Sequence, residues 1–336
     1  RNDPDSFKFC FESPLWRETF DSQILLDVLF RQKDENYRTI LNEIREGHIG
    51  KKACSILQSC LIENKPLPKD TNTIDPQLPI LAKIKPVILL PKKEQVKQIN
   101  TREINRIQSN VYKYKSYDCF EENTTNTTNT TNTTNTTTTN HPDISKSLEN
   151  MNISPKKKTP SKKEKDMEKK MLTQKAIFDE HLELKIGCQV MCIVNLDVEQ
   201  GICNGSTGIV IKFVRDPDLH GPGDELKTSS LIPVVRFKNG ITKVIHYHHW
   251  KSDTIEGYGV KQIPLILAWA VTIHKSQGAT LDSAEMDIGN NVFAPGQTYV
   301  ALSRVKSLNG LYLRSFQPQS IRSNKTVETF YKQFYE

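Results

Sequence analysis

The stretch Leu265-Ile-Leu-Ala-Trp-Ala-Val-Thr-Ile-His-Lys-Ser-Gln-Gly-Ala-Thr-Leu-Asp282 decides how this chain of 336 residues folds. It starts with an apolar run of strand length and continues into a polar turn. Thr272 is a candidate N-cap for a short helical turn, which Gly278 can close in a left-handed conformation. A helix that starts directly after a buried strand points several N–H groups outward, where an anion can bind. Because His274 and Lys275 add further donors, the stretch favours a phosphate site, although each residue alone fits a capped, solvated turn.

Alternating strand and helix patterns surround this stretch and predict a doubly wound α/β domain. The nearly continuous apolar run Ile24–Phe30 is typical of a strand covered on both faces of a parallel sheet. Asp34 then offers an N-cap, apolar residues follow at helical spacing, and Gly47 ends the helix. The other predicted elements are a strand at Pro86–Leu90, a helix carrying Val96, Ile99, Ile104 and Ile107, a strand at Ala284–Ile288, a helix from Pro295 and a strand at Leu311–Leu313.

The region from residue 182 to about 250 has a different pattern, which predicts a small β-barrel. Its short apolar runs alternate with polar residues or are separated by glycines, and no helical spacing occurs. Asn204-Gly205 and Asn239-Gly240 are dipeptides typical of hairpin turns. Because the α/β pattern returns after Ile263, we expect the barrel to be inserted into the α/β domain.

Residues 120–170 are predicted to be a disordered insert that separates two foldable parts of the chain. An Asn-Thr-Thr repeat fills 123–140 without an apolar residue, so no burial offsets the entropy of ordering it. For the lysine-rich stretch 156–170, a solvated linker is a simpler interpretation than a nuclear-import patch or a phosphate binder. The repeat also contains formal N-x-T glycosylation acceptors, which we interpret as repeat units only. They are Asn123, Asn126, Asn129, Asn132 and Asn135.

The composition argues against several classes of protein. A hydrophobic fraction of 36% is below the roughly 45–50% of globular chains, as expected if part of the chain does not fold. No run of 18 apolar residues occurs, so we expect neither a membrane span nor a membrane partner. The chain starts at Arg1 without a signal segment, which favours a fragment or processed product of an intracellular protein. The net charge of +7 comes mainly from 156–170 and is weak evidence for a nucleic-acid surface.

The chain has seven cysteines and no C-x-x-C pair. An odd count without that motif argues against a disulfide framework or a zinc ribbon, and reduced intracellular thiols are the simpler explanation. Cys188, Cys192 and Cys203 are conceivable metal ligands, but small apolar residues in a strand-rich region explain them better. We therefore predict no metal site on this chain.

Two further segments carry side chains that suit phosphate. The first is Ala294-Pro-Gly-Gln-Thr-Tyr-Val-Ala-Leu-Ser-Arg304, in which Pro295 fits a first helical turn. Its Arg304 shares a predicted helix face with Gln297, and a planar guanidinium can fork onto a phosphate group. The second is Leu29-Phe-Arg-Gln32, at the C-terminal end of a predicted parallel strand, where open α/β sheets bind ligands. Without the other segments, its arginine would be interpreted as a surface residue.

Taken as an ordered set, these segments resemble helicase motifs IV, V and VI of the superfamily 1 DNA helicases related to the petite-integration-frequency (PIF) helicase and RecD. The resemblance covers nearly all of the chain outside 120–170, and its strings follow the family's order. The strings of motifs V and VI are highly specific. The matching strings are Phe11-Glu-Ser-Pro-Leu-Trp16, Phe30-Arg-Gln32, Leu184-Lys-Ile-Gly-Cys-Gln-Val-Met191, Asn204-Gly-Ser-Thr-Gly208, Thr272-Ile-His-Lys-Ser-Gln-Gly278 and Tyr299-Val-Ala-Leu-Ser-Arg304.

The resemblance implies a motor built from two RecA-like domains, with ATP bound between them and single-stranded DNA running across both. This chain looks like the second RecA-like domain with an SH3-like barrel inserted into it. The implied domains are 1–119 for the first part of the RecA-like domain, 120–170 for the insert, 171–181 for a connector, 182–262 for the barrel, 263–316 for the remainder of the RecA-like domain with motifs V and VI, and 317–336 for a C-terminal tail.

The resemblance also implies roles for individual residues. By the family's pattern, Arg304 would be the arginine finger on the γ-phosphate, with Arg31 as a second phosphate contact. Such a finger stabilises charge in the transition state and changes the rate by about 10³–10⁵-fold. Gln277 and Gly278 would also lie near the nucleotide. Thr272, His274 and Lys275 would contact the DNA backbone. Contacts of that kind carry little sequence information.

The sequence departs from the family at the ATP-binding half. No G-x-x-x-x-G-K-[ST] occurs, and Gly47-His-Ile-Gly-Lys-Lys52 is not one. The acidic metal-binding strand of the first RecA-like domain does not occur either. ATP with Mg²⁺ would therefore need that domain, supplied in cis or in trans, and we expect no ATPase activity from this chain alone. The implied partners are single-stranded DNA, DNA forks and the first RecA-like domain.

Three functions stay open from the sequence. The first is the C-terminal part of an ATP-dependent DNA helicase, moving 5′ to 3′ in replication, repair, recombination or telomere maintenance, in a nucleus or mitochondrion if the source is eukaryotic. The second is a non-enzymatic remnant or accessory protein that binds single-stranded DNA, which the lack of a P-loop favours. The third is an interaction module whose barrel binds a protein. The intact polar strings at 272–278 and 299–304 favour the helicase.

Overall fold

The computed structural model describes residues 9–24, 30–68, 84–120, 160–175, 177–216 and 231–334. Most of the strand predicted at Ile24–Phe30, and all of the Asn-Thr repeat at 123–140, lie outside the described residues. Within the described ranges, no helix is both long enough and apolar enough to cross a membrane.

Helices and strands alternate along much of the described chain. The helices are α1 (Trp16–Thr19), α2 (Glu35–Arg45), α3 (Lys51–Ser59), α4 (Lys93–Arg106), α5 (Lys162–Lys175), α6 (Gln297–Leu302) and α7 (Lys325–Lys332). The strands are β1 (Val87–Leu90), β2 (Tyr112–Lys115), β3 (Tyr117–Phe120), β4 (His181–Leu184), β5 (Gln189–Cys192), β6 (Thr207–Arg215), β7 (Leu231–Phe237), β8 (Thr242–Val244), β9 (His248–Lys251), β10 (Tyr258–Gln262), β11 (Leu265–Leu267), β12 (Ala270–Thr272), β13 (Ala284–Ile288) and β14 (Leu311–Phe316).

Four strands form a parallel sheet in the order β12-β1-β13-β14. Its neighbouring strands come from distant parts of the chain, since Ile88 of β1 pairs with Ala270 of β12. The sheet lies in the main hydrophobic core, where Leu89, Met286 and Leu313 are 0% exposed. Helix α4 packs on β12 and β1, and helix α3 packs on β14. The predicted α/β class with a parallel sheet is therefore confirmed.

Helix α2 forms as its sequence predicts and supports the segment that carries Arg304. The Asp34 carboxylate caps it by accepting hydrogen bonds from the backbone N–H groups of Asn36 (2.9 Å) and Tyr37 (3.3 Å). The Tyr37 hydroxyl donates to the carbonyl of Leu302 at 2.7 Å. Because Leu302 is the last residue of α6, this bond ties α2 to the helix before Arg304. The buried face of α2 consists of Tyr37, Ile40, Leu41 and Ile44.

The antiparallel strands have a second hydrophobic core of their own. They form a five-stranded sheet in the order β11-β5-β6-β7-β8, a three-stranded sheet β3-β10-β9 and the pair β2-β4. Val190, Val235 and Ile263 lie in that core at 0% exposure. The hairpin predicted at Asn239-Gly240 is confirmed, since it joins β7 to β8 with Gly240 at a φ of 89°. The SH3-like barrel itself stays a prediction.

The tight turn predicted at Asn204-Gly205 forms, since the Ser206 N–H donates to the Cys203 carbonyl at 2.9 Å. It does not join two strands directly, because it lies at the end of a long connection, residues 193–206, between the antiparallel strands β5 and β6. Gly205 lies near the end of this loop with a φ of 98°, and its N–H donates to the carbonyl of Cys192 at 2.9 Å. The dipeptide signal therefore located the turn and its left-handed glycine, but not the length of the connection that contains them.

The predicted domain boundaries differ from the observed sheets at two places. The apolar stretch Leu265–Val271 is divided, because β11 pairs with β5 in the antiparallel sheet and β12 pairs with β1 in the parallel sheet. Strands β2 and β3 start inside the predicted first block, 1–119, yet they pair with β4 and β10 of the second block. Short alternating segments such as Tyr112–Lys115 carry no signal for their distant partners, so the pairing was not predictable.

The predicted insert 120–170 and connector 171–181 are wrong where helix α5 forms. Ser161 and Glu164 make a capping box at its start: the Ser161 N–H donates to the Glu164 carboxylate (2.7 Å), and the Glu164 N–H donates to Ser161 Oγ (3.3 Å). Leu172, 6% exposed, joins the main core. The high lysine content concealed this helix, because lysines suit the solvated face of an amphipathic helix as well as a linker.

Asn100 of α4 closes the free edge of the parallel sheet at β12. Its Nδ2 donates to the Ala270 carbonyl and its Oδ1 accepts from the Ala270 N–H, both at 2.9 Å. We expect Asn100→Ala to lower the free energy of unfolding by about 2 kcal/mol, because both backbone groups lose their partner. Urea unfolding of the full chain measures this difference. Asn105→Ala, on the same helix but exposed, is the matched control, and equal urea midpoints would contradict the role of Asn100.

Candidate nucleotide and nucleic-acid sites

The turn after β12 has the geometry that the sequence predicts. The Thr272 hydroxyl oxygen accepts a hydrogen bond from the Lys275 N–H at 3.1 Å, and the Thr272 carbonyl accepts from the Ser276 N–H at 3.0 Å. Gly278 closes the turn with a φ of 83°. Thr272 is only 3% exposed, and its hydroxyl is engaged in the cap. Of the predicted DNA contacts, Thr272 therefore holds the turn in place, while His274 and Lys275 reach solvent.

Lys275 lies in a groove of about 620 Å³ between α4 and the segment 179–183. Its Nζ is 2.6 Å from an Asp179 carboxylate oxygen. Thr272 also lines the groove, and α4 contributes two exposed lysines to its wall, Lys93 and Lys97. His274 is exposed on the same turn but outside the groove lining. The structure thus brings two of the three predicted DNA residues into one groove.

The second half of the same turn is packed against the long loop between β5 and β6. Gln277 and Gly278 are exposed, as residues near a nucleotide would be. A Cβ on Gly278 would lie 3.5 Å from the Asn204 side-chain nitrogen. The Asn204 carbonyl accepts from the Thr280 N–H at 3.1 Å. Gly205 is so close to Thr280 that a Cβ there would lie 2.5 Å from the Thr280 nitrogen.

Arg31 and Arg304 meet at Ser303. Arg31 donates through Nε to the Thr280 hydroxyl and through Nη1 to the Ser303 carbonyl, both at 3.0 Å. Arg304 donates through Nε to the Val300 carbonyl (2.9 Å) and through Nη2 to Ser303 Oγ (2.7 Å). The two guanidinium groups are therefore held by neutral oxygens, which leaves their charges available for an anion.

The electrostatics of this pair favour a bound anion. In the described part of the chain, neither guanidinium has a carboxylate within 4.0 Å. Burial, and then the charge of Arg31, lower the pKa of Arg304 to about 10, against the opposing effect of the Tyr299 phenol. Burial also lowers the pKa of Arg31. Both groups stay charged at neutral pH, and an anion between them would relieve their mutual repulsion.

Two residues that support the pair were not assigned from the sequence. Gln32, 3% exposed, donates through Nε2 to the carbonyls of Ser303 (2.9 Å) and Val305 (3.0 Å). Thr280 accepts from Arg31 and lies two residues after Gly278. Both residues lie within segments that were singled out from the sequence, and this was the signal available for them. Their roles depend on contacts between distant segments, which the sequence does not show.

Cys188 and Cys192 are buried side chains of the antiparallel core. Burial raises the pKa of Cys188 to about 12 and that of Cys192 to about 11, so both thiols stay protonated at neutral pH. Their interpretation as small apolar residues is confirmed. Across the described ranges, no three His, Cys, Asp or Glu side chains are grouped so that they could hold a metal ion.

The chain is similar to several known proteins. Residues 169–213 match the family described as DNA helicase Pif1, 2B domain. The ATP-dependent DNA helicase PIF1 of Xenopus laevis is 30% identical over 97% of this chain and 40% of its own length. The human protein of the same name is 28% identical over 96% of this chain, again 40% of its own length.

Solved structures show the same relationship. The crystal structure of Pif1 helicase from Candida albicans matches 97% of this chain and 64% of that chain, with 29% identity and a TM-score of 0.55. A Bacteroides Pif1 structure in complex with ADP-AlF4 covers 97% of this chain and 60% of that chain. At 23% identity and a TM-score of 0.61, it supports the fold alone.

The parallel sheet and the order of the motifs are consistent with a RecA-like domain of the superfamily 1 helicase class. More particularly, the chain is similar to the Pif1-type helicases, as its motifs predicted. It spans about 40% of the length of the vertebrate relatives.

Proposed function

We propose that this chain is the part of an ATP-dependent DNA helicase that contacts the γ-phosphate of the nucleotide and holds single-stranded DNA. The observation that carries the proposal is the convergence of Arg31 and Arg304 on Ser303 without a carboxylate nearby. The relatives named ATP-dependent DNA helicase support the same function.

On the nucleotide side, Arg304 is the proposed arginine finger and Arg31 a second contact to the terminal phosphate. The site fits a triphosphate, because two half-buried guanidinium groups can fork onto its oxygens. ATP supplies the phosphoryl group, and the finger stabilises the charge that develops on it. Gln277 and Gly278 are placed to border the nucleotide. The Mg²⁺ ligands and the P-loop belong to a further RecA-like domain, in cis or in trans.

On the DNA side, the groove between α4 and residues 179–183 is the proposed path of a single strand. Lys93, Lys97 and Lys275 supply positive charge along it, and Thr101 adds a neutral polar group. Such groups contact phosphates and sugars, so the grip would be independent of base sequence. His274, exposed on the turn beside the groove, is a further proposed contact.

One short segment connects the two proposed sites. Thr272 and Lys275 lie at its DNA end, whereas Gln277, Gly278 and Thr280 lie at its nucleotide end. The Arg31 guanidinium donates a hydrogen bond to the Thr280 hydroxyl. A phosphate that moves Arg31 would therefore also move the end of this turn. A change in the bound nucleotide can therefore shift this turn and so alter the contacts to DNA.

The family suggests finer features of the same function. Translocation from 5′ to 3′, action at DNA forks, and a role in replication, repair, recombination or telomere maintenance are part of the proposal. A nuclear or mitochondrial location would suit a eukaryotic source.

The DNA contact of Lys275 is tested by its removal. We expect Lys275→Ala to weaken binding of a labelled oligothymidylate about three- to fivefold at low salt, and to flatten the plot of log affinity against log salt by about 0.7. Fluorescence anisotropy of the full chain measures both quantities. Lys306→Ala is the control, since Lys306 makes a similar exposed ion pair with Asp282 at 2.7 Å. If both variants bind as the parent does, Lys275 is not a DNA contact.

A further inference from the structure

The Lys275 ammonium already has an anionic partner in the groove. Its Nζ lies 2.6 Å from Asp179 Oδ1, and the side chains of Lys275 and Asp179 are 30% and 47% exposed. Both residues line the groove. A carboxylate oxygen therefore occupies a position at which a DNA phosphate oxygen would meet the same ammonium, if the proposed function is correct.

The backbone around Asp179 is fixed on several sides. Phe178, 3% exposed, packs its ring at 4.6 Å from that of Trp250. The fully buried Gln262 donates through Nε2 to the carbonyls of Asp179 (3.0 Å) and Glu180 (3.2 Å). A side chain on such a fixed backbone returns repeatedly to the same partner, unlike one on a mobile loop.

Lys275 is fixed from its own side, because its N–H is held by the Thr272 hydroxyl at 3.1 Å. The other lysines of the groove are arranged differently. Lys93 and Lys97 are exposed on α4, and no carboxylate of the described residues lies within 4.0 Å of either ammonium. Among these three lysines, Lys275 alone is therefore neutralised within the described structure.

We propose that Asp179 acts as an internal competitor of the DNA backbone. Its carboxylate holds Lys275 in the DNA-free chain, and an entering strand exchanges that carboxylate for one of its phosphates. A single phosphate gains little from this exchange, whereas a strand that also engages Lys93 and Lys97 gains enough to displace the carboxylate. Asp179 thus selects extended polyanions over isolated ones and sets the affinity of the groove. This inference rests on the proposed DNA path.

The test compares Asp179→Asn with the matched neighbour Glu180→Gln in the full chain. Glu180 lines the same groove, is exposed, and lies one residue further along. Fluorescence anisotropy with a labelled oligothymidylate of about 16 nucleotides is the readout. We expect Asp179→Asn to tighten binding about three- to tenfold at low salt, through a freed Lys275 and the loss of a repelling charge. Glu180→Gln removes only a repelling charge and should tighten binding less than twofold.

The Lys275→Ala variant shows whether a gain in affinity comes from freeing Lys275 or only from removing a negative charge. In a Lys275→Ala background, Asp179→Asn should tighten binding no more than Glu180→Gln does, because no ammonium is left to free. Thermal unfolding identifies a misfolded variant, and Asp179→Ser then replaces Asp179→Asn as a second neutral variant.

The outcomes separate the two proposals. If the parent chain binds the oligonucleotide and neither neutral variant at Asp179 binds more tightly, the competitor role is overturned and the DNA groove stands. The same holds if the gain persists without Lys275. If neither the parent nor the Asp179 variants bind, the proposed DNA site is wrong and the competitor role falls with it.

Discussion

Arg304→Ala is expected to lower DNA-stimulated ATP turnover by about a thousandfold while leaving the affinity for single-stranded DNA within twofold. The guanidinium is held by the Val300 carbonyl and by Ser303 Oγ, with its remaining N–H groups free to meet a phosphate. Arg304 lies beside the nucleotide end of the connecting segment, since its carbonyl accepts from the Leu281 N–H at 2.9 Å. It does not line the proposed DNA groove, so its loss should leave that groove intact. The measurement needs the chain together with its P-loop domain, in one polypeptide or as two.

Two control variants make this result specific to the finger. Arg304→Lys keeps the charge but loses the planar fork, so turnover should stay far below the parent level. Arg322→Ala removes an exposed arginine elsewhere and should leave turnover unchanged. Parent-like turnover in Arg304→Ala would remove Arg304 from the nucleotide site. A parallel loss of DNA binding would instead show that the variant misfolds.

Gly205→Ala is expected to destabilise the chain by about 3–4 kcal/mol, the largest effect on stability of the substitutions considered. Two costs combine at this glycine. Its φ of 98° is unfavourable for any side chain. The new Cβ would also lie 2.5 Å from the Thr280 nitrogen and 2.6 Å from the Thr280 carbonyl oxygen, and backbone atoms cannot turn away as a flexible side chain does.

Gly240→Ala is the matched control for this effect. Its φ of 89° is similar, but a Cβ there meets no atom within 4 Å. It should therefore cost only the conformational part, about 1 kcal/mol. Urea midpoints of the two variants give the difference directly. Equal midpoints would show that the long loop between β5 and β6 is not pressed against Thr280.

Local signals in the sequence predicted much of the α/β domain. Asp34 caps α2, and four buried residues at helical spacing form its inner face. The predicted strand Ala284–Ile288 has the observed limits. These elements were predictable because caps and periodicity act within a few residues. The antiparallel part was harder, since the partners of β2, β3 and β11 lie far along the chain.

The candidate site likewise contains residues that the sequence predicted and one that it did not. Arg31, Gln277, Gly278 and Arg304 were assigned through a resemblance, and the structure brings Arg31 and Arg304 together at Ser303. Asp179 could not be found from the sequence, because an acidic residue before a strand carries no signal for a distant partner. Its importance follows only from the 2.6 Å contact with a lysine that is distant in the chain.

The order of strands in the parallel sheet has a consequence for how the protein reaches its folded state. Strand β1 is made before the antiparallel part, whereas its two neighbours, β12 and β13, are made only after it. The hydrogen bonds of Arg31 span 249 and 272 residues of sequence. Closing such large loops is slow, whereas the β6–β7–β8 strands pair with near neighbours and can form first. A growing chain therefore leaves both edges of β1 unpaired until β12 and β13 have been made, and the arginine pair assembles only after Arg304 has been made.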